Sequence, residues 1–227
     1  MIPPLIVKTA LSRGINLIAI TDHNASANAA SVIKAAKGTD LAVLPGIELQ
    51  TQEEVHVLCL FDTLDQLKSM QNIIDQSLPD LKNNTDFFGE QFVVDETGDF
   101  IRREERLLIT STQLSFEEAF RAVNELDGLF IPAHVNRQAF GLIYHLGFVP
   151  PDLEIEALEL SRHISIDKAL EEYPQIQNYA LIQSGDVHYL DDFLGINRFS
   201  IEEPSISEIK MALKRINGRK IIIMPQS

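Results

Sequence analysis

Short apolar runs alternate with polar turns and longer stretches of helical periodicity along most of the chain, and this alternation predicts its elements. Residues 5–13 read as a helix, opened by Pro3-Pro4 and closed by Gly14. A buried strand over 16–20 ends at Thr21-Asp22-His23-Asn24, and the alanine-rich stretch 25–37 reads as a helix stopped by Gly38. Residues 41–44 predict the next strand, with Pro45-Gly46-Ile47-Glu48 as the loop after it. Residues 55–61 predict another strand and 64–81 a helix.

Residues 86–110 break the rhythm. The stretches 91–94 and 100–102 flank Asp95-Glu96-Thr97-Gly98-Asp99, the pattern of a hairpin, taken as a small insertion within one domain spanning 1–227. Alternation then resumes. Ser115 and Glu118 fit a capping box for a helix to Leu126, and residues 129–131 form a strand entering Pro132-Ala133-His134. Further on come a helix over 139–146, a strand over 155–160, a helix over 166–172 and a strand over 180–183 entering Ser184-Gly185-Asp186-Val187-His188. A helix over 207–216 and a strand over 220–223 end the pattern. Repeated β/α units with no N-terminal dinucleotide fingerprint favour an α/β fold built as a parallel barrel.

Composition narrows the setting. A chain of 227 residues that is 45% hydrophobic and 23% charged can bury a full core. No apolar run reaches the roughly 18–20 residues that span a bilayer, so no membrane association and a cytoplasmic location are expected. The lone Cys59 has no partner for an internal disulfide and reads as a small buried hydrophobe. The formal net charge of −14, with no basic cluster, leads us to expect no nucleic-acid partner. Homo-oligomer formation stays open.

Candidate chemistry sits where barrel sites gather, at or just beyond the carboxyl ends of strands. His23, Glu48, His134 and the Asp186/His188 pair follow predicted strands, while His56 alternates with Leu58 and Leu60 toward the barrel interior. Neutral imidazole and carboxylate are the ligands that zinc, manganese and iron accept, and no cysteine set competes. Such cations polarise phosphoryl oxygens and acidify water. Arg137 and Arg162 fall on the same face and could grip phosphate in two-pronged fashion. His145 and His163 lack this placement.

Thr21-Asp22-His23-Asn24, Gly46-Ile47-Glu48, Glu54-Val55-His56-Val57, Pro132-Ala133-His134 and Gly185-Asp186-Val187-His188 resemble, in order, the successive motifs of PHP (polymerase and histidinol phosphatase) phosphoesterases. Phe88-Gly89-Glu90-Gln91 and Leu146-Gly147-Phe148-Val149-Pro150 resemble a stand-alone bacterial and archaeal branch. The resemblance implies a distorted (β/α)7 barrel holding up to three divalent metals. It implies that Glu48 bridges two of them, that His56 and His134 complete the second site, that Asp186 serves the first, and that His23 and His188 serve the third. Catalytic roles would fall to Asp22, His23, Glu48 and Asp186, with Asp22 orienting a ligand.

The family's opening His-x-His strand has no counterpart before His23, and Met1-Ile2-Pro3-Pro4-Leu5-Ile6-Val7 resembles the stretch that follows it. The expected barrel therefore lacks its first strand and holds fewer metals. A start placed too far downstream is the favoured explanation, with a fragment or a true short form as alternatives. The expected activity is hydrolysis of a small phosphomonoester or phosphodiester by metal-activated water. The competing expectation is a catalytically impaired domain that binds metal or a partner and regulates another process.

Overall fold

A computed structural model describes residues 1–225; the last two positions of the expected domain, 226 and 227, lie outside the described residues. Helix α1 (Pro3–Ser12) carries prolines in its first turn and leads into strand β1 (Leu17–Ile20). Helix α2 (Ala29–Ala35) is shorter than the alanine content suggests, because the stretch 25–28 is spent on the turn that carries Asn28. Strand β2 (Ala42–Gln50) is followed by β3 (His56–Leu60) and by α3 (Leu64–Ser77), whose Thr63 and Gln66 form a reciprocal cap. The expected hairpin is present as β4 (Phe92–Val94) and β5 (Phe100–Arg103), preceded by a single turn, α4 (Thr85–Phe88). Next come α5 (Phe116–Glu125) with its Ser115/Glu118 capping box, β6 (Leu129–Pro132), α6 (Leu142–Leu146), β7 (Ala157–Leu160), α7 (Ile166–Glu172) and β8 (Ala180–Gln183). Strand β9 (Asn197–Ser200), α8 (Ile206–Lys214) and β10 (Lys220–Ile223) follow.

The result is a mixed α/β fold in which the barrel is not closed. Strands order as β1-β2-β3-β6, with separate pairs β7-β8, β4-β5 and β9-β10. Two expectations are corrected. Glu48 does not follow its strand: β2 runs on through Pro45 and Gly46, pairing in parallel with β1 over its first half and antiparallel with β3 over its second. Gly46 permits this continuation, since a Cβ there would meet Leu60 Cδ2 at 2.8 Å and Thr21 Cγ2 at 3.0 Å. Nor are the strands all parallel. Residues 51–55 are too few for a helical crossover, so β3 returns antiparallel to both β2 and β6. Strand β9 went unseen in the sequence because Asn197-Arg198-Phe199-Ser200 is too polar to stand out as an apolar run.

That reversal matters for the site. An antiparallel strand brings its first residue, His56, to the end of the sheet where β1, β2 and β6 finish. The largest core cluster packs β2, β3 and β6 against α3 and α5, with Phe61, Phe130, Leu67, Met70 and Ile74 fully buried. A second cluster, with Leu44, Leu129, Ile131, Ile182 and Leu213, lines part of the cavity between the strands and α8. Among the described residues, β1 has a ladder partner only in β2.

Candidate metal centre

At the carboxyl ends of β1, β2 and β6, side chains converge on Glu48, which is 6% exposed. Backbone bonds fix the approach: Glu48 N–H donates to the Asp22 carbonyl at 3.1 Å, and Asn24 N–H donates to the Glu48 carbonyl at 2.9 Å. The register sets Gln50 opposite His56 and Glu48 opposite Leu58, so Glu48 and His56 are diagonal neighbours on one face of the sheet. His56 Nδ1 lies 2.8 Å and His134 Nε2 3.3 Å from Glu48 Oε1, while His23 Nδ1 lies 3.8 Å from Oε2. One ligand atom from each of His23, Glu48 and His56 falls within 4.8 Å of the others.

The electrostatics agree with the geometry. Burial pushes the Glu48 carboxyl pKa up, but hydrogen bonds with His134 and His56 and the nearby His23 and His56 charges reverse this. The group ends well below the ordinary carboxylate range. Burial lowers His56, outweighing the pull of Glu48. These are the protonation states in which carboxylate and imidazole ligate cations. The opposite ring nitrogens, His56 Nε2 and His134 Nδ1, are buried with no hydrogen-bond partner. The ring nitrogens that do face Glu48, His56 Nδ1, His134 Nε2 and His23 Nδ1, form with its ionised carboxylate a donor set that fits a divalent cation.

The other expected residues are placed differently. Asp186 and His188 line the same cavity of about 960 Å³ as His23 and Glu48, and the His188 ring lies 5.9 Å from that of His23. Arg137 Nη1 bonds Asp186 Oδ2 at 2.6 Å, so this arginine sits on an expected metal ligand. Arg162 Nη1 bonds Asp192 Oδ1 at 2.7 Å, and the other Asp192 oxygen accepts from the N–H groups of His188 and Tyr189. Asp22 lines the cavity, its pKa raised by burial against the opposing Asn28 hydrogen bond. Asn28 in turn ties Asp22 to the Phe92 carbonyl and the Val94 N–H of the hairpin.

Two residues of the site were missed. Glu159 is 3% exposed inside β7, and burial raises its pKa to about 8, with the Glu48 and Asp186 charges adding to the effect. A glutamate within the apolar run Ala157-Leu158-Glu159-Leu160 was the available signal. Phe140 stacks face to face on His56 with centroids 4.4 Å apart, from a backbone φ of 61°. No sequence signal pointed to it.

No protein-family model and no curated protein matches the chain. Solved structures do. A lesion-specific endonuclease Q from Pyrococcus furiosus matches with a TM-score of 0.72 and 21% identity, covering 97% of this chain and 53% of that one. Endonuclease Q bound to a 27-mer duplex with an abasic lesion at its active site gives 0.70, 22%, 97% and 53%. A two-domain Bacteroides vulgatus protein described as containing a PHP-like metal-dependent phosphoesterase gives 0.54, 11%, 98% and 60%. At these identities the likeness is one of fold, and the chain spans about half the length of the endonuclease Q structures it matches. The expectation of no nucleic-acid partner is corrected: an enzyme with this fold over 97% of the chain acts on a DNA duplex. Net charge did not exclude that partner class, because it describes the whole surface and not the cleft. No helix among the described residues is long and apolar enough to cross a membrane.

Proposed function

We propose that this chain is a metal-dependent phosphoester hydrolase in which Glu48, His56 and His134 hold one divalent cation, zinc, manganese or iron. His23, Asp186 and His188 extend the site along the cavity. The observation that carries the reading is the ionised, buried Glu48 with a ring nitrogen from each of three imidazoles turned toward its carboxylate. A cation held there supplies Lewis-acid polarisation of a phosphoryl oxygen and acidifies water near neutral pH. Asp22 lines the cavity beside His23 with its carboxyl held by Asn28. Arg137, with 39% of its side chain exposed beside Asp186, keeps guanidinium surface available for a phosphate. Arg162 holds Asp192 beneath the His188 loop.

A small phosphomonoester or phosphodiester fits this site. A second reading, phosphodiester cleavage in DNA, is favoured by the endonuclease Q likeness over 97% of the chain. The test is to load the purified chain with Mn²⁺ or Zn²⁺, count bound metal, and assay p-nitrophenyl phosphate, bis-p-nitrophenyl phosphate and a duplex carrying an abasic site. We expect bound metal, its loss in Glu48→Gln, and metal-dependent turnover of at least one substrate. Bound metal without turnover on any of the three would favour the regulatory alternative. Undiminished metal in Glu48→Gln would sink the assignment.

A further inference from the structure

We propose that Glu159 is a positioning residue, a clamp that joins the loop carrying His134 to the loop carrying Asp186 and so sets how His134 meets Glu48. The proposal rests on the reading of the site as metal-binding. A carboxyl group buried in an otherwise apolar strand is costly, and apolar side chains flank it on both sides. Its two oxygens divide between the loops. Oε2 accepts from the His134 backbone N–H at 3.0 Å, and Oε1 accepts from the Ser184 hydroxyl, two residues before Asp186. The Glu159 carbonyl also accepts from Val135 N–H at 2.8 Å.

These bonds fall at a gap between two sheets. Strands β6 and β7 share no ladder among the described residues, and the segments are joined by Glu159 and, further on, by the Asn136–Ser161 pair. His134 has a φ of 30° and Asp186 a φ of 47°. Side chains with a Cβ persist in that left-handed region only where their surroundings over-determine the backbone. Glu159 reaches the first directly and the second through Ser184. Outer partners of this kind commonly set the orientation of metal ligands.

Three variants test the clamp. Glu159→Gln keeps an acceptor for His134 N–H and a polar group for Ser184. Glu159→Ala keeps neither, and Ser184→Ala cuts one arm. Mn²⁺ or Zn²⁺ affinity is measured by competition with a chromophoric chelator, and amide exchange at His134 is followed in the metal-free protein. We expect Glu159→Gln to bind within about 3-fold of wild type and Glu159→Ala to bind roughly 10–100-fold more weakly. The His134 amide should exchange faster in Glu159→Ala. Wild-type affinity in Glu159→Ala would overturn the clamp. So would a loss in Glu159→Gln as large as in Glu159→Ala, which would mark the carboxylate as a charge or a ligand. Should Glu159→Ala fail to fold, unchanged affinity in Ser184→Ala overturns the proposal. Should the wild type bind no cation, the metal reading fails, and the His134 exchange rate in Glu159→Gln and Ser184→Ala judges the clamp alone.

Discussion

Asn24→Ala should destabilise the protein by about 4–5 kcal/mol, although Asn24 ligates nothing. Its side chain is fully buried and completely used. Nδ2 donates to the Leu108 and Thr110 carbonyls, both at 2.8 Å, and Oδ1 accepts from Gln50 N–H at 3.0 Å. One amide therefore joins the His23 loop, the end of β2 and the segment following the hairpin. Each bond contributes about 1 kcal/mol net, and alanine leaves the buried Gln50 N–H and two partly buried carbonyls without this partner. The backbone adds a further cost. Asn24 has a φ of 48°, a region where alanine is about 1–2 kcal/mol worse off and asparagine is comparatively at ease. For a domain of this size the loss corresponds to roughly 8–20 °C in Tm. Urea denaturation at 25 °C followed by circular dichroism measures it, with an unchanged m-value confirming two-state behaviour. Asn24→Gly, which relieves the backbone but not the hydrogen bonds, should recover about 1 kcal/mol. A loss under 1 kcal/mol in Asn24→Ala would refute the reasoning, because three hydrogen-bonded groups, one of them buried, would then have been released at no cost.

Glu159 predicts the pH dependence of the metal-free protein. The folded state keeps its carboxyl proton up to about pH 8 while the unfolded chain releases it near 4.5, so stability should fall as pH rises through that window and level off above it. The slope is at most about 1.4 kcal/mol per pH unit, and equal slopes for wild type and Glu159→Gln in urea titrations with chelator would contradict it. Gly141→Ala should cost about 1–3 kcal/mol by calorimetry, since a Cβ there collides with the Arg137 carbonyl, which cannot swing aside as a side chain would. Phe140→Ala should weaken metal binding several-fold in a chelator competition by freeing the His56 ring that Phe140 covers; unchanged affinity would show that Glu48 alone holds that ring.

Most elements were legible because their signals are local. The capping pair Ser115/Glu118 acts within one turn, and apolar runs such as residues 180–183 announce buried strands without help from distant contacts. What escaped depends on pairing. The direction of β3 follows from the shortness of the 51–55 connection, and the length of β2 follows from two different partners along one strand. Neither appears in hydrophobic periodicity. In the site, residue types pointed to His23, Glu48 and His56, which the fold brings together. Asn24 and Glu159 bond backbone groups of neighbouring segments and Phe140 covers the His56 ring, and such contacts show themselves only once the neighbours are in place.

The failure of net charge as a guide to partners has a physical scale. At physiological salt, exposed charges are screened beyond about 8 Å, so most of the acidic residues behind the formal charge of −14 are out of range of a phosphate in the cavity. The cavity wall itself carries Asp22, Asp40, Glu48, Glu159, Asp186, Glu202 and Glu203 on one side and His23, His188 and Arg198 on the other, with Arg137 paired to Asp186. Burial raises the pKa of Asp22 and of Glu159, so burial favours their neutral forms, while Arg137 already pairs with Asp186. Glu48 remains the strongly favoured anion, and it is the residue surrounded by imidazoles. A single divalent cation would therefore reverse the local charge at Glu48 while the protein as a whole stayed strongly negative. An acidic chain is no obstacle to a phosphoester, or to a nucleic acid, when the deciding charge is one bound ion a few ångströms from the phosphate.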